Sequence, residues 1–141
     1  MTVVIDANAL VALIVDEHAG PTVAELIEGW LAESREIHAP ALARYEVANA
    51  LVRQMATGGL SREDVADAWK ALEGLPITYH MLLDGPAVIG TAITLQRRSA
   101  FDAAYVALAT DLDGELWTLD GPLARNAAGR ELPVRRIGSQ S

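Results

Sequence analysis

Along this chain the spacing of apolar residues switches repeatedly between two periods. Short, β-branched or apolar runs at 2–5, 36–39, 76–80 and 115–119 have the length of buried strands, and 134–137 reads as an edge strand. Between them, apolar positions recur at helical spacing over 7–15, 21–33, 41–57, 61–72, 86–97, 99–112 and 121–128. The punctuation agrees. Pro21 suits a first helical turn, Pro40 stops the second strand, Gly58-Gly59 ends the third helix, and Ser61-Arg62-Glu63-Asp64 has the form of a capping box. Strands separated by helices predict right-handed crossovers and a three-layer α/β sandwich, a mostly parallel central sheet flanked by helices. No repeat, linker or low-complexity stretch interrupts the pattern. One domain over 1–137 with a short frayed tail, 138–141, is the expectation.

Composition narrows the chemistry. At 51% hydrophobic residues the chain belongs with globular proteins rather than disordered ones. The absence of cysteine removes disulfides, thiol nucleophiles and zinc–thiolate sites together. His18, His38 and His80 lie far apart, with no i,i+4 pair, so a histidine metal cage has poor support. No apolar run of about 18 residues could span a bilayer, and a strand begins at once with no basic-then-apolar leader. A cytoplasmic protein without membrane attachment is expected. The formal charge of −8 runs against a polyanionic partner. However, several of the 19 acids can share one pocket, and ten of the 11 basic residues are arginine, the better phosphate ligand.

The acids are placed in a telling way. Asp6 follows the first strand in Val3-Val4-Ile5-Asp6-Ala7-Asn8, and Asp120 follows the fourth in Leu116-Trp117-Thr118-Leu119-Asp120. Both therefore stand at carboxyl ends of strands, where wound α/β sheets form their sites. Asp102 opens a helix in Ala100-Phe101-Asp102-Ala103-Ala104-Tyr105, with Tyr105, Val106, Leu108 and Ala109 as its buried positions. Glu46 shares a helix face with Asn49, Ala50 and Arg53, leaving Leu42, Tyr45, Val47, Ala48, Leu51, Val52 and Met55 for packing. Each acid has a plain structural alternative. Asp6 and Asp120 suit helix caps or turns, Ser99-x-x-Asp102 resembles a capping box, and Glu46 could be a surface glutamate. Brought together, four carboxylates repel one another and need a cation, and oxygen-only ligation suits Mg²⁺ or Mn²⁺. That combination points to a metal-dependent phosphodiesterase.

Asp6-x-Asn8, Tyr45-Glu46-x-x-Asn49, Phe101-Asp102-Ala103-x-Tyr105-x-Ala107-Leu108-Ala109 and Thr118-x-Asp120 together resemble the PIN-domain family, over about 2–137. The compact size resembles its prokaryotic toxin branch, the VapC-type ribonucleases of toxin–antitoxin pairs. The resemblance implies an endoribonuclease dependent on Mg²⁺, with Mn²⁺ as the alternative, usually a homodimer and neutralised by a cognate antitoxin. It matches Asp6 and Asp102 to central metal ligands. Glu46 and Asp120 match the acids that bind metal directly or order its waters. Asn8 matches a small polar position that orients Asp6 or a metal-bound water.

Other residues carry weaker readings. Arg97 and Arg98 could grip an RNA phosphate or merely complement a helix end. Arg53 offers the same choice against a surface ion pair. Trp30, Trp69 and Trp117 read as core or interface residues rather than base-stacking platforms, and His80 as structural or exposed. Three rival functions stand beside the ribonuclease. A haloacid-dehalogenase-type phosphatase also begins with a strand ending in Asp-x-Asp, but Asn8 in the second place cannot relay a proton and the only lysine is Lys70. A non-catalytic binding module on the same fold, and a nuclease acting on DNA, are the other two.

Overall fold

The structure, a computed structural model, describes residues 2–16, 18–81, 84–97 and 100–138. The elements follow in the order β1 (Thr2–Ile5), α1 (Ala7–Val15), α2 (Gly20–Ala32), β2 (Glu36–Pro40), α3 (Leu42–Ala56), α4 (Arg62–Glu73), β3 (Ile77–His80), α5 (Gly85–Thr94), α6 (Phe101–Asp111), β4 (Glu115–Thr118), α7 (Gly121–Ala128) and β5 (Val134–Arg136). The strands form one sheet in the order β3-β2-β1-β4-β5, and every neighbouring pair is parallel. With helices packed around this parallel sheet, the molecule is the α/β sandwich expected from the alternating periods.

Strand order decides where a site can form. From β1 the chain winds outward through β2 to β3, then returns to the other side of β1 to lay down β4 and β5. The winding reverses between β1 and β4. At such a reversal the connections leave in opposite directions, opening a crevice beyond the carboxyl ends of the two strands. β1 is the central strand, and Val3, Val4 and Ile5 are all fully buried, which is why it reads as an unbroken apolar run rather than an alternating one. α1 packs on α2, α3 and α4, while α6 packs on β1, β2, β4 and α5. Trp30 is buried against Trp117, ring centroids 5.5 Å apart, and Trp69 is half-buried beside Arg44.

Two expectations need correction. The α3 positions assigned to packing are only partly used: Ala43, Val47 and Leu51 form its buried stripe, while Tyr45, Val52 and Met55 are 76%, 55% and 38% exposed. Apolar residues lie all round this helix, so its sequence does not select one face. α5 stops at Thr94 instead of running to residue 97. Gln96 adopts φ 55°, its N–H donates to Ile93 C=O (3.0 Å), and that of Arg97 donates to Ala92 C=O (3.0 Å). This is a Schellman ending built on glutamine, where no glycine marks the stop. By contrast, the Ser61 capping box is formed, with Asp64 N–H donating to Ser61 Oγ (3.0 Å) and Ser61 N–H to Asp64 Oδ2 (2.9 Å). Among the described residues, no helix is long and apolar enough to cross a membrane.

Gly114 sets the approach of α6 to the start of β1. Its N–H closes α6 on Ala109 C=O (2.8 Å), and a β-carbon there would stand 2.4 Å from the Thr2 carbonyl oxygen. Gly90, exposed within α5, would place its β-carbon in open space. Gly114→Ala is therefore expected to cost about 1–3 kcal/mol through overpacking, and Gly90→Ala to gain about 0.5–1 kcal/mol through helix propensity and chain entropy. Urea unfolding of both variants checks the opposite signs.

Candidate functional site

Asp6 lies one residue beyond β1, at the reversal point of the sheet. Its extended backbone and side chain cap α1, with Ala9 N–H donating to Oδ1 (2.9 Å). The register pairs Ile5 with Trp117, so the next residues along, Asp6 and Thr118, meet across the crevice. There the fully buried Thr118 hydroxyl donates to Asp6 Oδ2. The same hydroxyl oxygen accepts from Asp120 N–H (2.9 Å), and Asp120 Oδ1 accepts from Leu123 N–H (3.0 Å) as the cap of α7. The capping reading of both aspartates is thus correct, and it does not compete with a site. A carboxylate has about four lone-pair positions, so one cap hydrogen bond does not exhaust its acceptor capacity.

α6 and α3 supply the other two acids. α6 begins at Phe101 with Ala100 as its cap residue, which puts Asp102 at the second helical position rather than the third of a capping box. The Ser99 half of that motif lies outside the described residues. Asp102 faces Arg97, with Nη1 3.6 Å from Oδ2. One turn on, the buried Tyr105 hydroxyl donates to Glu46 Oε1 (2.6 Å), tying α3 to α6.

Electrostatics connects the three aspartates, and Glu46 and Asp6 act together on Tyr105. Burial pushes Asp6 up to about 6 against the hydrogen bonds from Thr118 and Ala9, and the charges of Asp120 and Asp102 raise it further. Burial also raises Asp102; Arg97 opposes this and Asp120 adds to it. The Tyr105 phenol is pushed well above its ordinary value by burial, by its bond to Glu46 and by the charges of Glu46 and Asp6. Neighbouring aspartate charges thus add to the penalty that burial places on Asp6 and Asp102, and only Asp102 has an arginine set against it.

By donor type, these side chains suit a hard divalent ion. The donors are oxygen only, three aspartates repel across one crevice, and among the described residues Asp102, Glu46 Oε2 and Asp120 Oδ2 accept no hydrogen bond. Among the described residues, no three acidic or histidine side chains stand close enough together to hold a metal ion as they are placed. The acids are instead held by protein partners, namely Thr118, Tyr105 and Arg97.

The remaining candidates are placed less centrally. Asn8 is exposed and makes no side-chain hydrogen bond to Asp6, whose orientation comes from Thr118 and Ala9. Arg53 and Asn49 are exposed on α3, so of that polar face only Glu46 turns inward. Arg98 lies outside the described residues. His80 is structural: its ring nitrogen lies 2.7 Å from His38 Nδ1, and Glu36 holds the other nitrogen of His38 at 3.0 Å. Two residues that matter were not singled out for a polar role, Thr118 and Tyr105. The signal for Thr118 was a hydroxyl in the last position of a buried strand, two residues before an acid. Tyr105 read only as core, because burial hides the one polar atom that a tyrosine carries.

Comparison with known proteins identifies the family and the fold. Residues 3–129 match the PIN domain family. The chain is 37% identical over 132 residues to Ribonuclease VapC3 of Pyrobaculum aerophilum, spanning 88% of this chain and 93% of that protein. Among solved structures, PAE2754 from Pyrobaculum aerophilum superposes with a TM-score of 0.68 at 20% identity, over 97% of this chain and 84% of the other. VapBC2 from Rickettsia felis, bound to a DNA fragment from their promoter, gives 0.68 at 11% identity, over 96% and 98%. At those identities the two structures speak for the fold.

The Asp6 environment makes a pH signature. Its carboxyl titrates near 3.8 in the unfolded chain and about 6 in the fold, so folding takes up a proton between those values. Stability attributable to Asp6 is therefore lost as pH rises from about 4 to about 6, and above that the penalty is full, about 3 kcal/mol. Asp6→Asn keeps a cap and removes the charge. In urea titrations with EDTA, its stability relative to wild type should rise between pH 4 and pH 7; a flat difference contradicts the assignment. Thr118→Val should cost about 2–3 kcal/mol at neutral pH, by leaving Asp6 and Asp120 N–H without their shared partner.

Proposed function

This chain belongs to the PIN-domain family, and from that membership we propose that it is a divalent-metal-dependent endoribonuclease, the toxin of a toxin–antitoxin pair. The observation that supports the reading is the electrostatic coupling of Asp6 to Asp102 and Asp120 beside the β1/β4 reversal, with Glu46 held nearby by Tyr105, whose phenol feels the charges of Glu46 and Asp6. Identity to a protein named a ribonuclease supports the substrate class.

Asp6, Asp102, Asp120 and Glu46 would hold Mg²⁺, or Mn²⁺ in its place. The chemistry that such an ion supplies is a lowered water pKa near neutral pH and neutralised charge on phosphoryl oxygens. The chain's own contribution is preorganisation. Thr118 and the Ala9 amide fix Asp6, the Leu123 amide fixes Asp120, and Tyr105 fixes Glu46, so little side-chain freedom is lost when substrate arrives. Arginines, Arg53, Arg97 and Arg98 among them, are assigned to flanking phosphates. Asn8 is assigned to a water near the acids rather than to Asp6 itself.

Protein partners are part of the proposal. Tyr45 and Val52 on α3, Ile89 and Ile93 on α5 and Phe101 at the start of α6 leave large apolar surface exposed, which supports a homodimer and a cognate antitoxin. An antitoxin arginine reaching the acidic crevice would pair with its carboxylates and exclude metal. A cytoplasmic setting, where such a toxin meets RNA, completes the reading.

The test uses purified protein, free of antitoxin, with total cellular RNA. Discrete new ends should appear with Mg²⁺ or Mn²⁺, vanish with EDTA, and be mostly lost in Asp102→Asn while its melting temperature is unchanged or raised. Near-wild-type cleavage by folded Asp102→Asn at limiting Mg²⁺ would sink the ligand assignment. Intact RNA under every metal would replace the enzyme by a binding module.

A further inference from the structure

Arg97 is held differently from Arg130 and Arg135, two exposed arginines with hydrogen-bonded side chains. Arg130 is pinned by Thr94 C=O (2.7 Å), Asn126 C=O (3.2 Å) and Asn126 Oδ1, and Arg135 is bonded to Glu115. The backbone of Arg97 is fixed just as firmly, because its N–H closes the Schellman turn of α5 on Ala92 C=O. Its guanidinium is not. Nη1 stands 3.6 Å from Asp102 Oδ2, beyond the 2.7–2.9 Å typical of a charge-assisted hydrogen bond. Nε is buried with no acceptor among the described residues. The side chain thus supplies charge to Asp102 without locking onto it, on a backbone that cannot drift.

We propose that Arg97 is the resident counter-cation of Asp102, giving way when a divalent ion takes the carboxylate and then holding an RNA phosphate beside the same site. This rests on the metal-nuclease reading above and adds to it a positioning residue that couples metal entry to substrate binding. The coupling follows from charge. One carboxylate cannot fully serve a guanidinium and a divalent ion at once, since the two cations repel at contact distance. A guanidinium freed from its carboxylate next to a phosphodiester finds, in the two non-bridging oxygens, another pair of anionic acceptors for its fork of donors.

Two effects of opposite sign follow, which a merely structural arginine would not produce. In Arg97→Gln, Mn²⁺ measured by calorimetry without RNA should bind about three- to tenfold more tightly, because a competing positive charge is gone. RNA cleavage should nonetheless fall by about tenfold, through the lost phosphate contact. Arg97→Lys should keep near-wild-type Mn²⁺ affinity, with cleavage between the two. Melting in EDTA reports folding; if Gln fails to fold, Arg97→Met keeps the apolar stem in place and carries the same test. Unchanged or weaker Mn²⁺ binding in a folded variant, with a wild type that binds metal and cleaves RNA, overturns the role of Arg97 alone. A wild type that binds no Mn²⁺ overturns the metal-nuclease reading and this role with it.

Discussion

The hydrogen bond from Thr118 to Asp6 joins the two strands between which the sheet reverses its winding. Both strand-end aspartates are indexed to it. The parallel register of β1 and β4 brings the two residues opposite each other, the same hydroxyl holds the Asp120 amide, and helices α1 and α7 start from the two aspartates. A slip of one residue in that register would turn Thr118 to the other face of the sheet and leave a buried carboxylate without its donor. The sheet topology, the caps of two helices and the geometry of the acids are thus one constraint.

That constraint explains how aspartates serve two ends. Capping engages one oxygen of Asp6 and one of Asp120, and Thr118 engages the second oxygen of Asp6. Each carboxylate is thereby held in place while keeping lone pairs that these bonds do not use. The cost is electrostatic: burial and neighbouring acids raise Asp6 well out of the ordinary carboxylate range. Destabilised charge of this kind is tolerated where a bound ion relieves it, and it concentrates at functional sites for that reason.

Much of this was legible in the chain. Strand and helix periods placed the elements within a few residues, and the acids after β1 and β4 pointed to the sheet's carboxyl edge before the strand order was known. What could not be read has physical causes. The end of α5 rests on Gln96 in a left-handed conformation that carries no glycine signal. The buried face of α3 was ambiguous because Tyr45, Val52 and Met55 are as apolar as the Val47 and Leu51 that pack. Thr118 and Tyr105 act through single hydroxyls in otherwise apolar surroundings, and hydrophobic periodicity has no way to report a hydroxyl's partner. Asn8 looked close to Asp6 in sequence, yet the helix that Asp6 caps carries it out to solvent.

The most direct measurement is anomalous scattering from crystals soaked in Mn²⁺. A peak in the crevice beyond β1 and β4, bonded by Asp6 and Asp102, with Asp120 and Glu46 ligating directly or through water, is the expected result. A well-ordered crystal at saturating Mn²⁺ with no peak there, or with the ion bound elsewhere on the chain, would contradict the assignment of these acids as a metal centre.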